Sequence, residues 1–296
     1  MSNILKVTQT FRPSFLILTP ICIFLSISLA TFNGIEVNNN VALLAFIAAL
    51  LAHVSVNALN EYLDFDSGLD FKTSKTPFSG GSGTLPNFPE LANMAKWLGI
   101  ISLLITFAIG AYFVFYINVD VLWFGVIGLF IVVFYTRWLN KLPLLCLISP
   151  GIGFSTIMVL GTYLLFSPSM PTTVILVAFI PFLQINNLLL LNQYPDIEPD
   201  KIVGRKTFPI AFGVPSSNLI YAASAITPYV ILSYLVMTNA LPLLSLIALL
   251  TAPIALFSAY GAFKYGASIG QQPKYMAANV ACSLLTPLIL AVSLYG

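Results

Sequence analysis

Residues 53–77 read HVSVNALNEYLDFDSGLDFKTSKTP, and a second polar segment, residues 192–207, reads NQYPDIEPDKIVGRKT. Each contains the pattern Asn-[Glu/Gln]-Tyr-x-Asp, at residues 60–64 and again at 192–196, followed by a further Asp and a Lys-Thr pair. Together the two segments hold 12 of the 22 charged residues of the chain. Two matching copies in a chain so poor in charge indicate an internal repeat rather than two unrelated polar loops.

Outside these two segments the chain is strongly apolar. Hydrophobic residues make up 58% of its 296 residues, charged residues make up 7%, and the mean hydropathy is +0.95. A soluble domain carries about 25% charged residues, so the composition predicts an integral membrane protein. The net charge of +2 is too small for a surface that binds nucleic acid. The three cysteines, Cys22, Cys146 and Cys282, lie far apart in apolar runs and form no CxxC pair, so the sequence supports neither a disulfide framework nor a thiolate metal site.

The apolar runs are long enough to cross a membrane several times. A spanning helix needs about 20 mostly apolar residues. The sequence therefore predicts an all-α fold, a multi-pass transmembrane helical bundle of about nine spanning helices, in a single domain that covers residues 1–296. The predicted spans are 14–33, 41–62, 96–117, 120–137, 143–166, 172–193, 216–237, 241–263 and 275–295.

The basic residues predict how this bundle is oriented. Alternate loops of a multi-pass protein face opposite sides, and cytoplasmic loops carry an excess of Lys and Arg. All 12 basic residues fall on one side of the predicted topology, whereas the opposite loops carry only Glu36 and Asp120. We therefore expect the N-terminus and the active site to lie on the cytoplasmic side, and the C-terminus to lie on the opposite side. The membrane is expected to be the bacterial inner membrane.

The spacing of the polar residues indicates a metal site. Asn60 and Asp64 are four residues apart, as are Asn192 and Asp196, and on a helix that spacing puts an amide and a carboxylate on one face. A charge at the centre of a spanning helix costs about 2.5–3.5 kcal/mol, so several carboxylates together indicate a wet cavity that holds hard cations. Mg²⁺ prefers one or two carboxylates together with substrate phosphates. The predicted Mg²⁺ ligands, which are also the predicted catalytic residues, are Asn60, Asp64, Asp70, Asn192, Asp196 and Asp200.

Basic and glycine-rich residues accompany the two acidic segments. The glycine-rich run from Ser79 to Gly83 either wraps phosphate through its backbone N–H groups or closes over the site as a flexible loop. The basic residues are expected to bind the phosphate charge that the metal leaves uncompensated. They are Lys72, Lys75, Lys201, Arg205 and Lys206.

At these residues the sequence resembles the UbiA superfamily of membrane prenyltransferases, over nearly the whole chain. The resemblance includes nine spans, an early Arg12-Pro13 and Asp-rich motifs after spans 2 and 6. The first motif is similar to the family's Asn-Asp-x-x-Asp pattern, with Glu61 standing where Asp is common. Its extension through Gly68 and Asp70 is closer to the 1,4-dihydroxy-2-naphthoate prenyltransferases of menaquinone biosynthesis than to the 4-hydroxybenzoate branch.

The second motif and a position before span 5 extend the resemblance. Asn192-x-x-x-Asp196-x-x-x-Asp200 with the following Gly-Arg-Lys-Thr is similar to the family's second motif, and Tyr135-Thr136 resembles a family position. The Gly-Glu pair often found a few residues later is absent, and Cys146-Leu147 stand there instead. This departure weakens any assignment of the acceptor by analogy.

The resemblance implies a Mg²⁺-dependent transferase with a prenyl diphosphate and an aromatic acceptor as its partners. Metal ions and basic residues would stabilise the leaving diphosphate, and the electron-rich acceptor, with 1,4-dihydroxy-2-naphthoate favoured, would attack the allylic cation. The polyprenyl tail would lie between helices in contact with membrane lipid, and no nucleic acid is expected to bind. The oligomeric state stays open.

Four further residues are predicted to line the acceptor cavity. They are His53, Asn57, Tyr135 and Asn187. His53, the single histidine, is either a base for the acceptor or a polar packing residue. Asn186 and Asn187 lie inside a predicted span, where they either line the cavity or bridge helices.

Two other functions remain open from the sequence. The same fold could act on 4-hydroxybenzoate, haem, a chlorin or a glycerol-phosphate lipid. Alternatively, internal repeats and buried carboxylates are also found in cation-coupled transporters. Transporter sites lie near the middle of the membrane, whereas both acidic segments here are predicted at one face, which argues against transport.

Overall fold

The computed structural model describes residues 3–295, and every regular element in that range is a helix. Nine apolar helices follow one another along the chain, and eight of them are long and apolar enough to cross a membrane. Their bounds are α1 Pro13–Phe32, α2 Asn39–Asp66, α3 Pro89–Tyr116, α4 Val119–Phe134, α5 Pro143–Leu164, α6 Thr172–Asn192, α7 Phe208–Met237, α8 Leu243–Gln271 and α9 Pro273–Tyr295. The shorter helix is α4. The predicted all-α, multi-pass bundle is confirmed, and the chain is an integral membrane protein.

Three of the predicted helix ends differ from the structure by seven or eight residues, and the others by four or fewer. Helix α3 begins at Pro89 and not at 96, and α8 continues as a 3-10 turn to Gln271 and not to 263. Helix α7 begins at Phe208, eight residues before the predicted start. It is interrupted at Gly213, whose φ of 79° is non-helical, so the apolar run that the sequence identified follows this break.

The length of α2 carries the first acidic segment out of the apolar layer. This helix has 28 residues, and at 1.5 Å per residue it is about 42 Å long, more than the roughly 30 Å hydrocarbon thickness. Its last turns, which include Asn60 and Asp64, therefore extend beyond the apolar layer when its other end begins at the opposite interface. Short helices lie at this polar end of the bundle: Asn3–Val7, Thr8–Phe11, Leu69–Phe71, Thr84–Asn87, Leu139–Lys141 and Ile197–Ile202.

Close helix contacts and buried hydrogen bonds hold the bundle together. A Cβ added at Gly99 would lie 2.8 Å from the Leu59 side chain, so α2 and α3 approach closely at this glycine. The Ser55 hydroxyl donates to the Gly99 carbonyl across the same contact at 2.8 Å. Small residues and interhelical hydrogen bonds of this kind drive helix association where no hydrophobic effect acts between helices. The position of α2, and with it of the first acidic segment, is thus fixed from α3.

Helix α5 changes its winding beside the interior of the bundle. After the α-helical turns Pro143–Gly151 it continues as a π-helix over Ile152–Gly161. Asn186 of α6 accepts a hydrogen bond from the Gly151 N–H at 2.7 Å, and a Cβ at Gly151 would clash with the Asn186 amide. Asn186 therefore bridges helices at the point where the winding changes, which is one of the two roles that the sequence left open.

The orientation of the bundle remains a prediction, and single cysteines test it. With the three native cysteines replaced by alanine, we expect Ser67→Cys and Ile202→Cys to react with a membrane-impermeant maleimide only from the cytoplasmic side. Glu36→Cys and Asp120→Cys should react only from outside, because the loops that carry basic residues stay in the cytoplasm. All four residues are exposed.

Labelling of intact cells and of inverted vesicles distinguishes the two sides. Reaction of Ser67→Cys and Ile202→Cys from opposite sides would contradict the structure itself, because the segments that carry them meet at one end of the bundle. Reaction of both from outside would leave the fold intact and reverse the predicted orientation.

Candidate active site

A cavity of about 610 Å³ extends from the acidic segments into the interior of the bundle. All six predicted metal ligands line its polar end. The rest of its wall is mostly apolar and comes from α2, α3, α4 and α5, with residues such as Leu103, Phe107, Leu129, Phe154 and Ile157. Its volume lies in the range of about 300–1,000 Å³ found for small-molecule sites. The structure therefore joins both acidic segments to a single mostly apolar pocket.

The first acidic segment keeps the helical geometry that its spacing predicts. Asn60 and Asp64 lie on one face of α2, and the Asn60 amide donates to Asp64 Oδ2 at 3.0 Å. The amide oxygen of Asn60 accepts from the Thr136 hydroxyl at 2.9 Å, which fixes the orientation of the amide. After α2 ends, Gly68 with a φ of 76° lets the chain turn, and Asp70 follows in the short helix Leu69–Phe71.

The second acidic segment does not keep that geometry. The prediction that Asn192 and Asp196 share a helical face is wrong, because α6 ends at Asn192 and the next helix begins at Ile197. The reason is Pro195, which lacks an N–H and disfavours helical geometry at the residue before it. Asp196 therefore lies in a turn, and Asp200 lies on the short helix Ile197–Ile202 with 3% of its surface exposed.

Arg205 joins the two acidic segments. Its Nη2 contacts Asp64 Oδ1, and its Nη1 donates to Asp200 Oδ1 at 3.0 Å. Burial alone would lower the pKa of Arg205, but the charges of Asp64 and Asp200 outweigh it and raise that pKa. One guanidinium thus neutralises a carboxylate from each copy of the repeat.

The four lysines predicted to bind diphosphate lie outside the cavity wall. Lys72, Lys75 and Lys206 are exposed, and Lys201 pairs with exposed Glu198 at 2.6 Å. The basic residues that line the cavity within the described chain are Arg12 and Arg205. A role for the lysines in binding diphosphate therefore stays a prediction, and any contact would have to come from the rim of the cavity.

Arg12 and Glu61 are polar residues of this region that the sequence did not place in the site. The Nε and Nη2 of Arg12 lie 2.8 Å and 2.7 Å from Glu61 Oε1, and Glu61 is fully buried. Arg12 has a φ of 52°, a left-handed conformation that is uncommon outside glycine. The two residues are 49 positions apart, so no local sequence pattern could predict that they pair. The one signal in the sequence was that Glu61 stands where Asp is common in the family motif.

The four residues predicted for the acceptor cavity divide into three that line it and one that does not. His53, Asn57 and Tyr135 are in the wall. The Nδ1 of His53 lies 2.9 Å from the Thr19 hydroxyl, and the Asn57 amide donates to the Phe11 carbonyl at 2.8 Å.

Asn187 lies outside the wall, so the expectation that it lines the cavity is not met. Its side-chain amide donates to the Tyr221 backbone carbonyl of α7 at 2.9 Å, and its backbone carbonyl accepts from the Asn279 side-chain amide of α9 at 3.0 Å. Asn187 thus connects α6 to α7 and α9, which is the second role that the sequence had left open for Asn186 and Asn187.

Several buried oxygens at the polar end have no hydrogen-bond partner among the described residues. They include Asp70 Oδ2, Asn192 Oδ1 and Asp196 Oδ1, which come from both acidic segments. Leaving a buried polar atom without a partner costs about 1–3 kcal/mol, and carboxylate and amide oxygens are the ligands that Mg²⁺ prefers. The residues present therefore fit a hard cation.

The protein alone does not supply a complete metal cage. Among residues 3–295, no three His, Cys, Asp or Glu side chains come together closely enough to hold a metal ion by themselves. Two of the carboxylates are instead held by Arg205. This arrangement suits Mg²⁺, which is typically bound by one or two carboxylates and completed by substrate phosphates and water.

Two acidic residues outside the spanning helices, Asp70 and Asp196, lie where their ionised forms are disfavoured. Burial, with the nearby Glu61 and Asp64, raises the pKa of Asp70 to about 7. Burial and the neighbouring Asp200 raise the pKa of Asp196 to about 7 as well. An adjacent cation favours the charged form of a carboxylate, so a positively charged ligand would stabilise the ionised forms of both residues.

Known proteins resemble this chain in sequence and in fold. The chain is 26% identical to a 1,4-dihydroxy-2-naphthoate octaprenyltransferase of Bacillus subtilis (strain 168) over 236 residues, 78% of this chain and 74% of the relative. An apo structure of a UbiA homolog from Aeropyrum pernix K1 superposes with a TM-score of 0.71 at 17% identity, over 95% of this chain and 96% of the other. A UbiA homolog from Archaeoglobus fulgidus bound to DMAPP and Mg²⁺ gives a TM-score of 0.65 at 14% identity, over 94% and 98%.

The two structures show a shared fold. The UbiA prenyltransferase family as a whole matches residues 17–281, from the first helix into the last. With a match of that extent, the chain belongs to the UbiA prenyltransferase family and is a membrane prenyltransferase.

Proposed function

We propose that this chain transfers a prenyl group from a prenyl diphosphate to an aromatic acceptor, and that the acceptor is 1,4-dihydroxy-2-naphthoate. The observation that carries the proposal is the cavity itself. Two acidic segments joined by Arg205 form one end of it, and a mostly apolar wall forms the rest. A prenyl diphosphate has the same division, with a highly charged head and a hydrocarbon tail.

Mg²⁺ is the cofactor that the acidic end suits. Asp64, Asp70 and Asp196 would hold it with Asn60, Asn192 and Asp200, and when bound it would supply Lewis-acid stabilisation of the diphosphate. The orphaned oxygens of Asp70, Asn192 and Asp196 support this assignment. The Archaeoglobus fulgidus relative, of the same fold, was solved with Mg²⁺ and DMAPP, which adds support.

Arg205 and Arg12 would bind the diphosphate. Both guanidinium groups belong to residues that line the polar end of the cavity. A guanidinium offers paired N–H donors that match phosphate oxygens. As the bond between the prenyl carbon and the diphosphate oxygen breaks, these charges would stabilise the negative charge that stays on the leaving group.

The acceptor would bind deeper in the cavity, beside the prenyl carbon that is transferred. His53, Asn57 and Tyr135 contribute the polar groups of this part of the wall, and the ring of Phe154 lies edge-on to His53 at 4.6 Å between centroids. A carbon of the acceptor ring would form the new bond to the prenyl carbon as the bond from that carbon to the diphosphate oxygen breaks. The ring would then regain its aromaticity by losing the group on the attacking carbon, either a proton, which the released diphosphate can accept, or a carboxylate, which leaves as CO₂. The name of the Bacillus subtilis relative supports a dihydroxynaphthoate as this acceptor.

The apolar wall would hold the prenyl tail. Positions Gly110 of α3 and Gly125 of α4 line the cavity, and a Cβ added at either would meet nothing within 4 Å. These glycines leave room along the wall between α3 and α4. Burying a hydrocarbon tail there gains about 0.8 kcal/mol per CH₂ group relative to water, so the apolar wall would bind long prenyl chains.

The acceptor is tested with purified protein, Mg²⁺, labelled prenyl diphosphates and a panel of acceptors. We expect product with 1,4-dihydroxy-2-naphthoate, and little or none with 4-hydroxybenzoate, haem, a chlorin or a glycerol-phosphate lipid. Mass spectrometry of the product identifies the new bond. Turnover of another acceptor in the panel, with none of the naphthoate, would keep the reaction type and overturn the acceptor.

Metal dependence is tested at one carboxylate from each segment. Asp64→Asn and Asp196→Asn should each abolish prenyl transfer, because the amide cannot supply the charge that the cation needs, and EDTA should abolish it in the unchanged protein. Asp66→Asn is the matched control, since Asp66 is exposed two residues from Asp64. Full activity of either variant, or activity in EDTA, would refute the metal assignment.

The basic residues are tested in the same assay. Arg205→Gln should lower kcat/KM for the prenyl diphosphate by about ten- to a hundredfold, the value of one charge-assisted hydrogen bond of about 1.5–3 kcal/mol. We expect a smaller loss in Lys201→Ala and Lys206→Ala, because both lysines are exposed and neither lines the cavity. Wild-type kinetics in both would mean that the lysines only orient the chain in the membrane.

A further inference from the structure

Glu61 lies at the second position of the first motif, yet its contacts do not resemble those of a metal ligand. Its side chain is fully buried, and both carboxylate oxygens already accept hydrogen bonds. Oε1 accepts from the Ser82 N–H at 2.8 Å and from Arg12, and Oε2 accepts from the Ser82 hydroxyl at 2.6 Å. A carboxylate saturated in this way has little capacity left for a cation.

The loop that Glu61 holds is the glycine-rich run from Ser79 to Gly83. Gly80 and Gly81 have φ values of 81° and 71°, conformations that side chains other than glycine rarely adopt. A Cβ at Gly81 would lie 3.1 Å from Asp70 Oδ1 and 3.3 Å from Glu61 Oε1. The backbone of the loop therefore lies directly against the first acidic segment, with no room for a larger residue.

The same loop also reaches the second acidic segment. The Gly80 backbone interacts with the Asp196 carboxylate, and both residues line the cavity together with Asn192. Ser79, Gly80 and Gly81 line the polar end of the cavity. The loop thus spans both copies of the repeat, and its attachment to α2 is made by Glu61 through Ser82.

We infer that Glu61 is a positioning residue: it fastens the 79–83 loop to α2 and so holds the loop backbone against Asp70 and Asp196. Its partner Arg12 ties the segment before α1 to the same carboxylate. The consequence for catalysis rests on the proposed function, because it concerns the residues assigned to Mg²⁺ and diphosphate. The attachment itself does not depend on that function.

Hydrogen exchange reads the attachment directly, because the Ser82 N–H is one of the donors to Glu61. In purified protein without substrate, we expect Glu61→Gln to speed amide exchange across residues 79–84 by about tenfold or more, since the loop loses its charged acceptor. Ser82→Ala, which removes one hydrogen bond and keeps the charge, should give a smaller increase. Glu90→Gln is the control, because Glu90 is exposed in the first turn of α3, shortly after the loop, and is the same type of residue.

Steady-state kinetics separates positioning from a general loss of folded protein. Glu61→Gln should raise the Mg²⁺ concentration for half-maximal activity and the KM for prenyl diphosphate by about tenfold, while kcat stays within about threefold. Glu61→Asp keeps the charge with a shorter side chain, so it should restore part of the effect. A purely structural defect would lower the active fraction without moving either half-saturation value.

Three results would overturn the inference. Unchanged exchange at residues 79–84 in both Glu61→Gln and Ser82→Ala would show that the loop is not held by Glu61. Loss of activity in Glu61→Gln at every Mg²⁺ concentration, with unchanged exchange, would make Glu61 a metal ligand. Faster exchange with unmoved half-saturation values would leave the attachment without a role in positioning. If the unchanged protein transfers no prenyl group, the proposed function fails while the exchange result still decides the attachment.

Discussion

The constraint on which this structure depends is the cost of burying several carboxylates close together at one end of a helical bundle. Four buried or half-buried acids, Glu61, Asp64, Asp70 and Asp200, lie close to one another. Like charges at that distance disfavour the ionised forms, so each needs a cation or several N–H donors. Arg205 serves Asp64 and Asp200, and Arg12 serves Glu61. The loops at this end of the bundle are arranged around those two guanidinium groups.

The remaining acids define what the site lacks by itself. Asp70 and Asp196 keep buried oxygens without partners, and their pKa values are raised to about 7. Such a site is more stable when a positively charged ligand binds it. A phosphate group that accompanied this ligand would bring further negative charge. The guanidinium groups of Arg12 and Arg205 could then bind the phosphate oxygens. A cavity built in this way favours a metal and an anion together over either one alone.

The fold could be predicted from the sequence because its signals are local. Each span is a continuous apolar run, and the spacing of Asn60 and Asp64 correctly placed them on one helical face. The second acidic segment failed for an equally local reason, since Pro195 ends the helix and was visible in the sequence. The pairing of Arg12 with Glu61 could not be predicted in the same way, because it joins residues on either side of a whole spanning helix. Similarly, only the fold shows that Arg205 faces the cavity while the neighbouring Lys206 is exposed.

The two copies of the repeat share a pattern but use its second position differently. Glu61 holds the glycine-rich loop, whereas Gln193, at the matching position, donates to Cys146 Sγ of α5 at 3.4 Å. Both side chains thus fasten the end of a spanning helix to a neighbouring segment, one by charge and one by a weak neutral contact. The acid stands where the partners are an arginine and a glycine-rich loop, and the amide stands where the partner is a spanning helix. The two copies therefore have the Asn and Asp residues of the pattern in common, while the residue beside the Asn has a different neighbour in each copy.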